Sequence, residues 1–380
     1  MLSQETKAIV KATVPVLEQH GIEITTVFYD HMFEEHPELL NIFNKINQKQ
    51  GKQQTALAQT VLAAAKHIDH LEAIVPNVNQ IAHKHRALQV KPEHYPIVGK
   101  HLIYAIKKVL GEAATPEIIN AWTEAYGVIA DVFIQMEKGL YEAEEWHGFQ
   151  PFKVTDVKQE SEHIKTFTVT PENNIELKPI VPGQYITVKV HPEDEDNDAL
   201  RHYSICSTDL TKGLKFAVKR DVMDSHRGVV SNYLHDTIVV GDQLLLSAPA
   251  GDFTLQKTEQ PLLFLSGGVG MTPLMCMLES AADQQITFVH SAYNRSAVPF
   301  KDEITVFHDK ENIQFYFNYS DEAGRLNKEK LSKVIQGDEE IYMCGSLAFM
   351  EAMLGIFDDM GIERTRIHFE PFGPKMSITV

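Results

Sequence analysis

The stretch Pro261-Leu262-Leu263-Phe264-Leu265-Ser266-Gly267-Gly268-Val269-Gly270-Met271-Thr272-Pro273-Leu274-Met275-Cys276-Met277-Leu278 runs 18 residues without a charge. On hydropathy alone it is long enough to be taken for a membrane span. Ser266-Gly267-Gly268-Val269-Gly270 and Pro273 interrupt it. A buried strand, a Gly-rich turn and a helix account for it better. The reading predicts a strand over Leu262–Leu265 and a helix over Met271–Ser280. Backbone N–H groups at a helix start, open to close approach because glycine lacks Cβ, suit a pyrophosphate. The spacing is not G-x-G-x-x-G, and a turn that only packs a helix on a sheet has the same look.

Downstream the rhythm alternates. Ile286–His290, Ile313–Asn318 and Glu340–Cys344 read as strands, and Leu347–Met360 as a helix. That alternation predicts a parallel α/β sheet. Cys344-Gly345-Ser346 follows an apolar strand, where such a sheet binds ligand.

Upstream, from Phe152 to about Pro249, the segments are short and β-rich: Ile164–Thr170, Tyr185–Val190, Leu214–Lys219 and Leu244–Ser247. Turns at Pro182-Gly183 and Thr211-Lys212-Gly213 separate them, and the pattern predicts a small antiparallel barrel. Arg201-His202-Tyr203-Ser204 lies in this zone; Arg clamps phosphate oxygens, and Tyr offers an aromatic face and a hydroxyl. Gly228-Val229-Val230-Ser231-Asn232 could open a helix and present N–H groups to a second phosphate.

Residues up to about 145 read as helices. Apolar stripes run through Gln53, Leu57, Val61 and Ala64, through Val78, Ile81, Ala82, His85 and Leu88, and through Ile119, Trp122, Tyr126, Ile129 and Phe133. Breaks are expected at Gly21, Pro37, Pro76, Pro92 and Pro116. The fold class is therefore multidomain: all-α over 1–145, an antiparallel β-barrel over 146–256, and a parallel α/β domain over 257–380.

Bulk properties narrow the partners. With 35 Lys+Arg against 52 Asp+Glu, the formal charge is −17. That field disfavours nucleic acid and anionic membrane. Cys206, Cys276 and Cys344 are far apart and lack C-x-x-C spacing, so no disulfide framework or zinc site is expected and a reducing compartment fits. The opening Met1-Leu2-Ser3-Gln4-Glu5 has neither the basic segment nor the apolar core of a signal peptide. A cytoplasmic protein, monomer or weak dimer, is expected. The acidic run Glu193–Asp196 reads as a solvated loop.

Several polar residues stand on apolar helix stripes. His85 shares its stripe with Val78, Ile81 and Ala82, whereas His83 points away. Glu137 falls near the stripe of Tyr126, Ala130, Phe133 and Leu140, and a buried carboxylate needs a partner. Tyr95 follows a proline-marked break. A His–Glu–Tyr set makes an imidazole more electron-donating through hydrogen bonding. Taken singly, each also reads as a satisfied core or surface residue. Gln53 and Leu57 share one helix face, Tyr29 follows Val27-Phe28, and Phe43 follows a polar break.

The order of motifs from Arg201-x-Tyr203-Ser204 through Gly267-Gly268-Val269-Gly270-x-Thr272-Pro273 to Cys344-Gly345-Ser346 resembles the ferredoxin–NADP reductase superfamily over residues 150–380. Ile9–Leu17, Tyr29, Phe43, Gln53, Leu57, Lys84-His85, Tyr95 and Glu137, with Phe369-Glu370-Pro371-Phe372-Gly373-Pro374, extend the resemblance to bacterial flavohemoglobins. The match runs over nearly the whole chain, and the tail from Lys375 to Val380 has no reading.

This resemblance implies haem b, FAD, and NADH or NADPH. His85 is the implied proximal iron ligand, tuned by Tyr95 and Glu137. Tyr29 and Gln53 are the implied distal hydrogen-bonding residues, and Phe43 and Leu57 the implied haem-pocket residues. FAD falls to Tyr185, Arg201, His202, Tyr203, Ser204, Gly228, Val229, Val230, Ser231 and Phe372. NAD(P)H falls to Gly267, Gly268, Val269, Gly270, Met271, Thr272, Pro273, Cys344 and Gly345. Lys84 and Glu370 are expected to tune redox poise. Arg295, after Tyr293-Asn294, is either a contact for a 2′-phosphate or a surface residue.

The implied activity converts nitric oxide and oxygen to nitrate with electrons from NAD(P)H. Three alternatives stay open: an NAD(P)H oxidase or one-electron reductase, a gas-sensing or gas-storing globin kept reduced, and a helical domain without haem.

Overall fold

The computed structural model describes residues 2–43, 51–221 and 228–373. Pro374 and the tail that follows it lie outside the described residues. The chain divides into two compact units, residues 1–148 with 190–200, and 149–189 with 201–380.

The first unit is helical: α1 (Gln4–Ala12), α2 (Val14–Glu35), α3 (Lys52–Lys66), α4 (Val75–Ala87), α5 (His94–Leu110) and α6 (Pro116–Glu142), with short 3-10 turns at Pro37–Asn41 and Leu71–Ile74. Local chemistry sets the ends. Ser3 and Thr115 cap α1 and α6 by accepting from Thr6 N–H and Ile118 N–H. Proline stands in the first turn of α2, α4 and α6, where its missing N–H costs nothing.

Of the five expected breaks, Pro37, Pro76 and Pro116 start helical segments and Pro92 lies between α4 and α5. Gly21 does not break anything: α2 runs through it. A Cβ there would stand 3.4 Å from the Ala58 Cβ. This glycine marks where α3 comes close to α2. Val10, Ile24, Phe28, Met32, Leu102, Ile106 and Trp122 fill the core between the helices.

The second unit holds two sheets. β1 (Gln150–Ser161), β2 (Ile164–Pro171), β3 (Tyr185–Val190), β4 (Ala199–Ser204), β5 (Leu214–Lys219) and β6 (Gln243–Leu246) form one sheet in the order β4-β3-β6-β1-β2-β5. β1 pairs antiparallel with β2 and β6, and β2 with β5. The edges approach each other at an antiparallel bridge between Ile205 and Phe216. The expectation of short strands misses β1, whose twelve residues carry two irregularities of register against β2. Helix α7 (Val229–Asp236) packs against β5.

The other sheet is parallel: β7 (Leu262–Gly267), β8 (Ile286–Ala292), β9 (Ile313–Tyr319), β10 (Glu340–Gly345) and β11 (Ile367–Pro371), in the order β11-β10-β7-β8-β9. Helices α8 (Met271–Ser280), α9 (Lys301–Phe307) and α10 (Leu347–Asp359) connect its strands. Leu262 and Phe264 face one core with Met271, Leu274 and Leu278 of α8. Leu263 and Leu265 face the other with Met350, Leu354 and Phe357 of α10. A strand covered on both faces is apolar throughout, which is why β7 imitates a membrane segment. Among the described residues no helix is long and apolar enough to cross a membrane. The α8-side core continues into Ile164, Cys206, Ala217 and Phe253 of the antiparallel half.

Candidate functional site

In the helical unit, the last turn of α4 brings His85 to α6. His85 Nδ1 lies 2.7 Å from Glu137 Oε1 and 3.1 Å from the Tyr95 hydroxyl. The Tyr95 hydroxyl itself donates to Glu137 Oε1 at 2.5 Å. With Tyr95 spending its proton on the carboxylate, Nδ1 carries its own proton to face an acceptor. Nε2 is then left with a lone pair, the form that binds a metal. Among the described residues Nε2 has no hydrogen-bond partner. Glu137 is 2 % exposed and His85 31 % in their side chains, so the carboxylate is sealed while the imidazole keeps an open edge. Burial and the Glu137 charge push the Tyr95 hydroxyl far above its ordinary pKa, keeping it a donor.

Two tyrosines that sequence reading gave no role brace this triad. The Tyr126 hydroxyl donates to the Tyr95 carbonyl at 2.6 Å, and the Tyr141 hydroxyl to the Val90 carbonyl at 2.6 Å. Tyr126 also lies over Gly99, where a Cβ would stand 2.5 Å from its ring. Lys84 is next to His85 in α4.

Tyr29, Phe43, Gln53 and Leu57 come from α2, the segment after it, and α3. Tyr29 meets Phe43 edge-on at 5.8 Å, and Phe43 and Leu57 pack on the same core. Burial raises the Tyr29 pKa, so its hydroxyl stays protonated. Among the described residues that hydroxyl has no hydrogen-bond partner, and Gln53 Oε1 is buried without one.

In the second unit, Tyr185 and His202 are ring neighbours at 4.7 Å, and His202 Nδ1 lies 2.8 Å from Thr187 Oγ1. Tyr203 stacks near Phe216 with a buried hydroxyl that has no hydrogen-bond partner among the described residues. Burial lowers the Arg201 pKa, against the opposing influence of Tyr203 and Asp221. Gly228 stands at the N-cap of α7, followed by Val229, Val230 and Ser231; the Ser231 hydroxyl donates to the Gly228 carbonyl. Ser204 ends β4.

The Gly-rich turn behaves as its composition asks. Gly268 has φ +57°, and a Cβ on Gly270 would stand 2.1 Å from the Cys344 carbonyl oxygen. Two motifs 74 residues apart in the chain, Gly270 and Cys344, are thus in contact. Gly267 and Gly345 both lie against the Phe349 ring. Val269 joins the turn to Met271, Thr272 and Pro273 at the start of α8, and Thr272 Oγ1 donates to the Val269 carbonyl at 3.0 Å. Glu370 pairs in register with Cys344, and Phe372 N–H donates to the Gly345 carbonyl at 2.9 Å. Phe372 is 42 % exposed.

One pairing at these strand ends escaped the sequence. Ser266 Oγ and His290 Nδ1 are 2.7 Å apart at the ends of β7 and β8, and His290 Nε2 is buried without a partner among the described residues. Arg295 is held by Glu322 through two contacts of 3.0 and 3.1 Å and lies over the Tyr319 ring.

Comparison with known proteins places names beside this geometry. Residues 26–133 match the globin family, 151–255 the oxidoreductase FAD-binding domain and 264–354 the oxidoreductase NAD-binding domain. A flavohemoprotein of Oceanobacillus iheyensis is 44% identical, over 98% of this chain and 97% of its own length. A flavohemoglobin of Malassezia yamatoensis, solved with bound FAD and heme, superposes with a TM-score of 0.89 at 27% identity, covering 98% of this chain and 100% of its own. The FAD/NAD-binding domain of a nitric oxide dioxygenase from Vibrio cholerae covers 60% of this chain and 100% of its own, with a TM-score of 0.56 at 29% identity.

Proposed function

The chain belongs to the flavohemoprotein family, an oxidoreductase with globin, FAD-binding and NAD-binding domains, and from that premise we propose that it is a cytoplasmic nitric oxide dioxygenase that detoxifies nitric oxide. Nitric oxide, dioxygen and one electron balance as nitrate. The observation that carries the reading is the His85–Glu137–Tyr95 triad. A store of gas has no need of a strongly donating imidazole, whereas activation of dioxygen does.

The residues fit haem, FAD and NAD(P)H. His85 Nε2 is the nitrogen for iron, and Tyr203 and Gln53 leave buried polar atoms unmatched among the described residues. When bound, the haem supplies an iron centre for small gases while FAD splits the hydride pair of NAD(P)H into single electrons.

The chain's own work is positional. Glu137 holds the His85 Nδ1 proton and with it the ring orientation. The Tyr29 hydroxyl, kept protonated by burial, and Gln53 are the donors for a polar gas ligand. Phe43 and Leu57 keep that space apolar. Arg201, Tyr203 and the start of α7 take the flavin, with Phe372 as its aromatic neighbour. The Gly267–Gly270 turn and Cys344-Gly345 take the nicotinamide nucleotide. Lys84 and Glu370 are assigned to redox tuning.

A nitric oxide electrode tests this in the haem- and FAD-loaded protein supplied with NADH. Rapid consumption in air with nitrate as product, and little sustained turnover without oxygen, is expected. Tyr29→Phe slows it and His85→Ala abolishes it. No catalytic consumption in air with both cofactors bound would sink the proposal.

A further inference from the structure

Helices α2 and α5 bring an unusual group of side chains together. His31, Glu35 and His36 occupy the end of α2, and Lys100, His101 and Tyr104 belong to α5. His101 is fully buried, at 0% exposure. Its Nδ1 lies 2.6 Å from His31 Nδ1, so a single proton is shared there. Among the described residues its Nε2 is buried with no hydrogen-bond partner, and Glu35 Oε2 is 3.8 Å away. An imidazole nitrogen sealed from water without a partner is costly. A packing role alone does not account for it.

The neighbours are arranged to hold the ligand rings. His31 stacks on Tyr104 at 3.7 Å and 10°, and from that fixed position it meets His101 Nδ1. His36 Nδ1 lies 3.0 Å from Glu38 Oε1, so its proton belongs on Nδ1 and its Nε2 is free. Glu35, His36 and His101 each offer one ligand atom, and these lie within 4.8 Å of one another. Four-coordinate zinc draws its ligand atoms to roughly 3.4 Å of each other, a closure that the exposed Glu35 side chain can largely provide.

We propose that Glu35, His36 and His101 form a divalent-cation site suited to Zn2+, with water as the fourth ligand. His31 and Glu38 orient the ligand rings through Nδ1, as outer groups do at metal–imidazole centres. Two imidazoles and one carboxylate are a donor set for zinc, and they disfavour magnesium and calcium. Lys100 competes: its Nζ lies 2.5 Å from Glu35 Oε2. A cation entering the site displaces that ammonium, and the bound metal ties the end of α2 to α5. The site shares no residue with the His85 triad.

The test is a calorimetric titration of the full chain, loaded with haem and FAD and washed free of loose metal, with Zn2+ at neutral pH. One stoichiometric site is expected. Glu35→Gln and His36→Ala, both on the solvent side and compatible with folding, should each weaken it by about tenfold or more. Lys100→Ala should strengthen it. Zinc K-edge absorption of the loaded protein should show two imidazoles. Absence of a stoichiometric site, affinity unmoved in both weakening variants, or a zinc sphere without imidazole would each overturn the proposal.

Discussion

Glu137 is the residue on which the helical site turns, because one oxygen accepts from both His85 and Tyr95 while the other is buried without a partner among the described residues. Glu137→Gln keeps the shape and an acceptor but removes the charge that pulls on the His85 proton. Steady-state nitric oxide consumption should fall by about tenfold or more, with haem still bound stoichiometrically. Tyr95→Phe should cost less, since His85 and Glu137 still meet. Equal turnover in wild type and Glu137→Gln would remove the carboxylate from the mechanism.

His290 makes a prediction about acid. Burial lowers its pKa from 6.5 to about 4. The fold therefore favours the neutral ring, and the unfolded chain takes up a proton first as pH falls. The stability this group contributes above pH 6.5 is lost on the way down to pH 4. Between about pH 7 and about pH 4.5 that loss is on the order of 2 to 3 kcal/mol. In His290→Gln, chemical denaturation at the two pH values should differ by that much less. An unchanged difference would mean that His290 is solvated.

At the scale of elements, the contact between the Gly-rich turn and β10 sets a sharp limit. In Gly270→Ala the new methyl would meet the Cys344 carbonyl oxygen at 2.1 Å and the carbon at 2.4 Å, and backbone cannot rotate away as a side chain can. We expect a loss on the order of 1 to 3 kcal/mol from forced shifts and a clear rise in KM for NADH. Thermal unfolding and NADH-dependent flavin reduction measure the two. Gly268→Ala, with no neighbour within 4 Å but φ +57°, should cost mainly backbone strain.

The elements also show what a sequence exposes. β3 and β5 were legible end to end because β-branched and apolar residues crowd Tyr185–Val190 and Leu214–Lys219. β1 was hidden: Lys153, Asp156, Lys158 and Glu160 punctuate it, and much of it faces water. β11 was hidden by His368 and Glu370 at alternate positions. Gly21 misled because a glycine that permits close approach looks the same as one that ends a helix. In the helical site, His85 and Glu137 were legible as polar residues on apolar stripes. Tyr126 and Tyr141 were not, because their acceptors are backbone carbonyls, which no letter of the sequence represents. Ser266 and His290 escaped because their pairing depends on the register of β7 against β8.

The whole molecule has a convenient pair of reporters. The chain has two tryptophans, Trp122 and Trp146, and both lie in the first unit. Flavin belongs to the second. In guanidinium, tryptophan and flavin fluorescence should therefore trace separate transitions, as expected of compact units with their own cores. Superimposable curves would show the units unfolding as one.

Within the second unit no such separation is expected. Ile164, Cys206, Ala217 and Phe253 of the antiparallel half share a core with Leu274, Met277 and Leu278 of the parallel half. At Gly183, with φ +103°, a Cβ would fall 2.7 Å from the Met277 methyl. Two sheets that look like separate modules in the sequence are thus one cooperative body. Recombination between relatives should accordingly tolerate exchange of the entire reductase. A crossover in the linker between its sheets would graft mismatched surfaces onto each other, so inheritance should keep this pair of sheets together.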